Sequence, residues 1–113
     1  MRKSFSMVAV ILLVFLTLGA CGSSEPKTGN EYLMRGMQRG ASGDMSGAIE
    51  DYTNAIRLEP ENAAFYATRA MTYDMMGEYQ LAVNDYEMAI EIQPQLEAGL
   101  KEQLGHLRAK ANM

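Results

Sequence analysis

One cysteine stands in the 113 residues, at position 21. A lone thiol closes no intrachain disulfide and builds no thiolate cluster for zinc. One histidine, His106, has no second His or Cys at ligand spacing, so it reads as a solvated surface residue. Glycine-rich phosphate loops, nucleophile elbows and zinc signatures are all missing. Cations are scarce, with 10 Lys and Arg against 14 Asp and Glu for a net charge of −4. Phosphate contacts need clustered cations, so nucleic acid is not an expected partner. The carboxylates are scattered, and pairs such as Glu50 and Asp51 read as surface charge on different helix faces. No apolar run reaches the roughly 20 residues of a spanning helix. The chain is expected to be no enzyme and to carry no cofactor and no metal.

What is present begins at the N-terminus. Arg2 and Lys3 precede an apolar run over residues 5–18. That length suits the apolar core of a signal peptide, about 7–15 residues. Leu18-Gly19-Ala20-Cys21 follows. This segment resembles the bacterial lipobox, an aliphatic residue and two small ones before a cysteine. The resemblance implies cleavage before Cys21, lipidation of its thiol and acylation of the new amine. Two or more acyl chains give stable membrane attachment at about 0.8 kcal/mol per buried methylene. Removal of residues 1–20 takes two cations and leaves a net side-chain charge of −6. The organisation expected is a signal peptide (1–20), a lipidated Cys21 with a flexible tether (21–29), a repeat region (30–96) and a last helix (97–113). The tether, Gly22-Ser23-Ser24-Glu25-Pro26-Lys27-Thr28-Gly29, is a linker by composition.

Residues 29–62 laid on 63–96 match without a gap at a period of 34. Ten positions are identical: Tyr32/Tyr66, Arg35/Arg69, Met37/Met71, Gly43/Gly77, Ala48/Ala82, Asp51-Tyr52/Asp85-Tyr86, Ala55-Ile56/Ala89-Ile90 and Pro60/Pro94. Helix signals follow the same period. Thr28 and Glu31 read as a capping box, and Asn62 as an N-cap. Gly43 and Gly77 are placed to end one helix of each unit, where a positive φ suits glycine. Asp44 and Glu78 put negative charge at the start of the next helix. Pro60 and Pro94 stop that helix. The expected helices span about 30–41, 46–58, 63–76, 80–92 and 95–110. In the last, Leu96, Leu100, Leu104 and Leu107 form one apolar stripe, with charged residues largely off it.

Thirty-four residues is the period of the tetratricopeptide repeat. The units resemble that family through Tyr32, Gly36, Gly43, Ala48, Tyr52, Ala55 and Pro60, then Tyr66, Ala70, Gly77, Ala82, Tyr86, Ala89 and Pro94. Arg35 and Arg69 depart from it, standing where a large apolar residue is usual. The resemblance implies an all-α fold: two helix-turn-helix TPR units plus a C-terminal capping helix in a right-handed superhelical stack. It also implies protein binding on the concave face lined by the first helix of each unit. Carried over by position, that face offers Asn30, Leu33, Met34, Met37, Gly40 and Ala41, then Ala64, Ala67, Thr68, Met71, Asp74 and Met75. Lys and Asn at such positions would clamp a C-terminal carboxylate; only Asn30 is present, so that mode is rejected. The face is instead rich in methionine, whose flexible thioether suits adaptable contacts. The candidate binding residues are Leu33, Met34, Met37, Thr68, Met71 and Met75, with Met34 and Met76 open between core and groove.

The expected function is a membrane-tethered adaptor that binds a peptide or helix of another envelope protein. Similar TPR lipoproteins serve pilus assembly, secretion channels and cell-wall machinery. The alternative is a structural subunit or a self-associating homo-oligomer, since two units fall below the roughly three needed to share a core. Gly22 after Cys21 is not the aspartate of an inner-membrane signal. The expected place is therefore the periplasmic face of the outer membrane, where the cell has one.

Overall fold

The computed structural model describes residues 24–113. The expected signal peptide and Cys21 lie outside the described residues. Five α-helices and one short 3-10 turn make up the described chain, with no strand among them: α1 Gly29–Ala41, α2 Met45–Leu58, α3 Ala63–Met75, α4 Tyr79–Ile92, the turn Pro94–Leu96 and α5 Glu97–Ala111. Helices α1, α3 and α5 thus begin at residues 29, 63 and 97, each 34 after the last. Packing runs in chain order, α1 on α2, α2 on α3, α3 on α4 and α4 on α5. This is the helical repeat stack that the period predicts.

Local chemistry sets the boundaries. Thr28 Oγ1 accepts from the Glu31 N–H at 3.2 Å and opens α1. Glu31 does not return the bond to Thr28 but accepts from the Lys27 N–H at 2.8 Å, one residue before the expected place. Asp44 Oδ1 caps α2 through the Gly47 N–H at 2.9 Å. Glu78, a methylene longer at the matching position, makes no such bond. Asn62 accepts from the Ala64 N–H at 3.2 Å to open α3. Both α1 and α3 close in the same motif. The N–H of Asp44 reaches the Arg39 carbonyl at 2.8 Å and that of Glu78 reaches Tyr73 at 2.9 Å. The intervening Gly43 and Gly77 sit at φ +93 and +79, where a Cβ would cost about 1–2 kcal/mol.

Small residues bring the helices together. Ala48, Ala55, Ala70, Ala82 and Ala89 are fully buried. A Cβ at Gly36 would stand 2.6 Å from Tyr52 Cε1 and 3.1 Å from Asp51 Cβ, so only glycine admits the Tyr52 ring there. The second unit accommodates Ala70 at that position. Its core joins Ala70, Ala82, Val83 and Tyr86 to Leu104 and Leu107 of α5, with Leu100 packed alongside. The leucine stripe of α5 therefore seals the stack, while Glu97, Lys101, Glu102, Arg108 and Lys110 stay exposed. Repeat arrays need such a polar outer surface at their ends.

Candidate functional site

Two arginines fix how α1 meets α2 and how α3 meets α4. Arg35 donates from Nε to both Asp51 oxygens, at 3.2 and 3.1 Å, and from Nη2 to Oδ1 at 2.8 Å. Arg69 binds Asp85 in the same fork, Nε to Oδ2 at 2.7 Å and Nη2 to Oδ1 at 2.8 Å. Asp51 is completely buried, so the expectation of surface charge there is wrong. Its position one residue after the exposed Glu50 turns it into the helix pair, where Arg35 and Arg39 neutralise it. The carboxylate at each site holds its arginine in the charged form and pushes the guanidinium pKa up. The departure of Arg35 and Arg69 from the repeat pattern is thus compensated inside each unit, 16 residues away.

The third guanidinium nitrogen links neighbouring segments. Arg69 Nη1 donates to Thr53 Oγ1 of α2 at 3.1 Å, and that hydroxyl donates to the Ile49 carbonyl at 2.8 Å. Arg35 Nη1 reaches Glu25 of the tether at 3.1 Å. Tyrosine rings flank the cations, Tyr32 at 5.5 Å from Arg35 and Tyr66 and Tyr73 at 6.0 and 5.8 Å from Arg69. No fully buried side-chain nitrogen or oxygen among the described residues lacks a partner.

With the polar groups satisfied inside, another face of α1 and α3 carries exposed apolar groups. Met37, Gly40 and Ala41 of α1, Met45 and Tyr52 of α2, and Thr68, Met71, Thr72 and Met75 of α3 line one shallow hollow of about 280 Å³. Met37, Met71 and Met75 are 55%, 56% and 68% exposed, far more than a core residue. Met71 and Met75 are one helical turn apart and share a face. The Thr68 hydroxyl is spent on the Ala64 carbonyl at 2.8 Å, and the Thr72 hydroxyl lies 3.3 Å from the Thr68 carbonyl. The Tyr52 phenol is pushed above its ordinary value by burial, with a smaller contribution from Asp51 and an opposing one from the Thr72 hydroxyl.

Residues 63–96 match the family model of the tetratricopeptide repeat. That span is the second 34-residue unit, and the first carries the same helix pair in register. The chain therefore contains a TPR unit within an all-helical stack. Two solved structures share the fold. One is described as the MamA protein and the other as MamA, each 26% identical over 74% of this chain with a TM-score of 0.58. The match covers 52% and 56% of their lengths, so this chain spans about half of each. No curated protein matches it in sequence.

The structure brings four of the expected binding residues together: Met37, Thr68, Met71 and Met75. Leu33 is half-buried and Met34 is 64% exposed, and neither lines the hollow. Met76 caps α3 at 40% exposure and is no core residue. Cys21 lies outside the described residues. Met45, Tyr52 and Thr72 lie in the lining beyond the expected positions. Met45 opens α2 directly after the glycine turn, which brings it beside the end of α1, and the short Gly43-Asp44 connection signals that closeness. His106 stands 3.8 Å from Glu102 on an exposed helix face. No group of three His, Cys, Asp or Glu residues among the described ones is placed to hold a metal.

Proposed function

We propose that this chain is a membrane-tethered interaction module that seats an apolar peptide or helix of another envelope protein in the Met-lined hollow. One observation carries the reading: Met37, Met71 and Met75 are exposed yet converge on one concavity, in a stack where no buried side-chain nitrogen or oxygen among the described residues is left unpaired. Apolar side chains held in water cost free energy, about 25 cal/mol per Å² that a partner would recover. Unbranched thioethers adapt their shape to more than one ligand. The TPR match supports protein binding as the general activity. The tether and lipid rest on the sequence: a cationic start, an apolar run and Leu18-Gly19-Ala20-Cys21. They would hold the module in the cell envelope, on the periplasmic face of the outer membrane where the cell has one. No helix among the described residues is long and apolar enough to cross a membrane.

Features of α1 favour an adaptor over self-association through that helix. Phe65 and Thr72 of α3 are buried, whereas Glu31 and Gln38, their counterparts 34 residues earlier in α1, are exposed and polar. The outward side of α1 thus offers no apolar surface at those positions for a second copy.

The test couples capture with fold. Replacement of Met71 and Met75 by glutamate would set two carboxylates against an apolar ligand. Crosslinking in intact cells should lose its partner band, while far-UV circular dichroism stays that of the parent. Retained fold with retained crosslinks would place binding elsewhere.

A further inference from the structure

We infer that the hollow between α1 and α3 is also a binding site for a soft monovalent d10 cation, Cu(I) or its analogue Ag(I). Four thioethers line it, Met37, Met45, Met71 and Met75. Their distribution in the chain is selective. Eight of the ten methionines lie among the described residues, and none belongs to the buried core, which is built from alanine, tyrosine, valine, phenylalanine and leucine. Conversely, leucine, isoleucine, valine and phenylalanine are absent from the lining of the hollow. Met34, Met76, Met88 and Met113 are exposed elsewhere, and the hollow is where four thioethers are brought to one concavity.

The chemistry selects the ion. Thioether sulfur is a neutral, polarizable ligand that favours Cu(I) and binds hard divalent cations poorly. Since a thioether carries no proton to lose, such a site binds without proton release, unlike thiolate or imidazole sites. Met71 and Met75, a turn apart on α3, offer two donors from one rigid face, while Met37 and Met45 come from either side of the Gly43 turn. The hollow contributes no charge of its own, but the described chain carries six more acidic than basic residues, which favours a cation over an anion. The Tyr52 ring, also in the lining, adds a surface that attracts positive charge.

This site shares residues with the peptide groove proposed above but does not depend on it, because Cu(I) binding is read with no protein partner present. The probe is Cu(I) alone, in competition with a chromogenic Cu(I) chelator under anaerobic conditions. The protein is the full chain in detergent with Cys21→Ala, so that no thiol contributes. One Cu(I) should bind per chain. Replacing Met37, Met71 and Met75 together by leucine should weaken binding by more than about tenfold, because even loss of a partner behind a metal ligand costs that much. The same triple replacement at Met34, Met76 and Met88, all exposed and outside the hollow, should leave affinity unchanged. Circular dichroism confirms the fold of each variant. The inference is overturned if the parent fails to compete with the chelator, if the leucine triple binds as the parent does, or if the control triple loses as much. Capture that withstands glutamate at Met71 and Met75 would overturn the peptide reading alone.

Discussion

Arg69→Met should come close to unfolding the protein, and adding Asp85→Leu should rescue it. In the parent the Asp85 carboxylate is 9% exposed and receives charge-assisted bonds of 2.7 and 2.8 Å from an arginine that is 18% exposed. Methionine at position 69 keeps the aliphatic stem and removes both donors, leaving a carboxylate nearly out of water. Removal of one partner from a buried pair costs about 3–5 kcal/mol. Residual solvent access at Arg69 argues for the lower end, about 3 kcal/mol. A small domain holds as little as about 5 kcal/mol in total, so more than half of it would go. Asp85→Leu alone should be milder, about 2 kcal/mol, because the stranded guanidinium keeps its bond to Thr53 and lies over two tyrosine rings. In the double variant no charge is left unpaired, and apolar replacements of buried pairs are often neutral or stabilising. It should fall within about 1 kcal/mol of the parent. Urea unfolding followed by far-UV circular dichroism reads all four proteins, provided the slope stays constant. A double variant that loses the sum of the two single losses would refute the reasoning, since the paired charges would then be uncoupled.

Further outcomes follow from the same packing. Ala82→Leu, at a fully buried crossing, should overpack and cost about 1–3 kcal/mol; an unchanged melting temperature would refute the 34-residue register. Burial pushes the phenols of Tyr52 and Tyr86 above 10.0, with Asp74 adding to the rise at Tyr86. Their contribution to stability is therefore whole below the unfolded value of about 10 and is lost as pH rises through the higher folded values. Melting temperature should fall between about pH 9 and pH 11, and less steeply with phenylalanine at both positions. Cys21→Ser should abolish lipidation, because a hydroxyl is a far weaker nucleophile than a thiolate. Intact mass of the membrane-extracted parent should show acyl addition, and a parent without it would sink the lipid anchor.

Backbone organisation was readable because each boundary has a local cause. The glycine turns, the caps at Thr28, Asp44 and Asn62 and the stops before Pro60 and Pro94 depend on neighbours within a few residues. The expected helix limits accordingly fall within about two residues of those observed. Only the start of α5 differs in kind, a 3-10 turn over Pro94–Leu96 preceding the helix at Glu97. What escaped was pairing between helices. Arg35 and Arg69 depart from the repeat pattern and Asp51 and Asp85 recur with them 16 residues on, but neither residue type alone signals the contact, because a buried ion pair exists only in the pair. The hollow was half legible for a related reason. Family positions on one helix place Met37, Met71 and Met75, but Met45 enters the lining through the geometry of the turn.

The ion pairs and the methionines occupy different sides of the same helices, and this separation is what makes the binding face testable. Arg35, Gly36 and Arg39 of α1 face α2 through Asp51, Tyr52 and the Gly47 carbonyl. Register between the helices is set there by close approach and charge. Met37 follows Gly36 by one residue, about 100° further round the helix, and stays more than half exposed. The second unit repeats the division, with Arg69 and Ala70 turned inward and Met71 outward. Polar substitution at Met71 and Met75 removes little packing, since both are more than half exposed. Surface changes of this kind fall within about 0.5 kcal/mol, against the 3 kcal/mol or so expected at Arg69. Glutamate at the two methionines should therefore leave the unfolding midpoint nearly where it was while it removes the apolar contact. A large shift in that midpoint would mean that the methionines support the stack after all, and the hollow would then be part of the core.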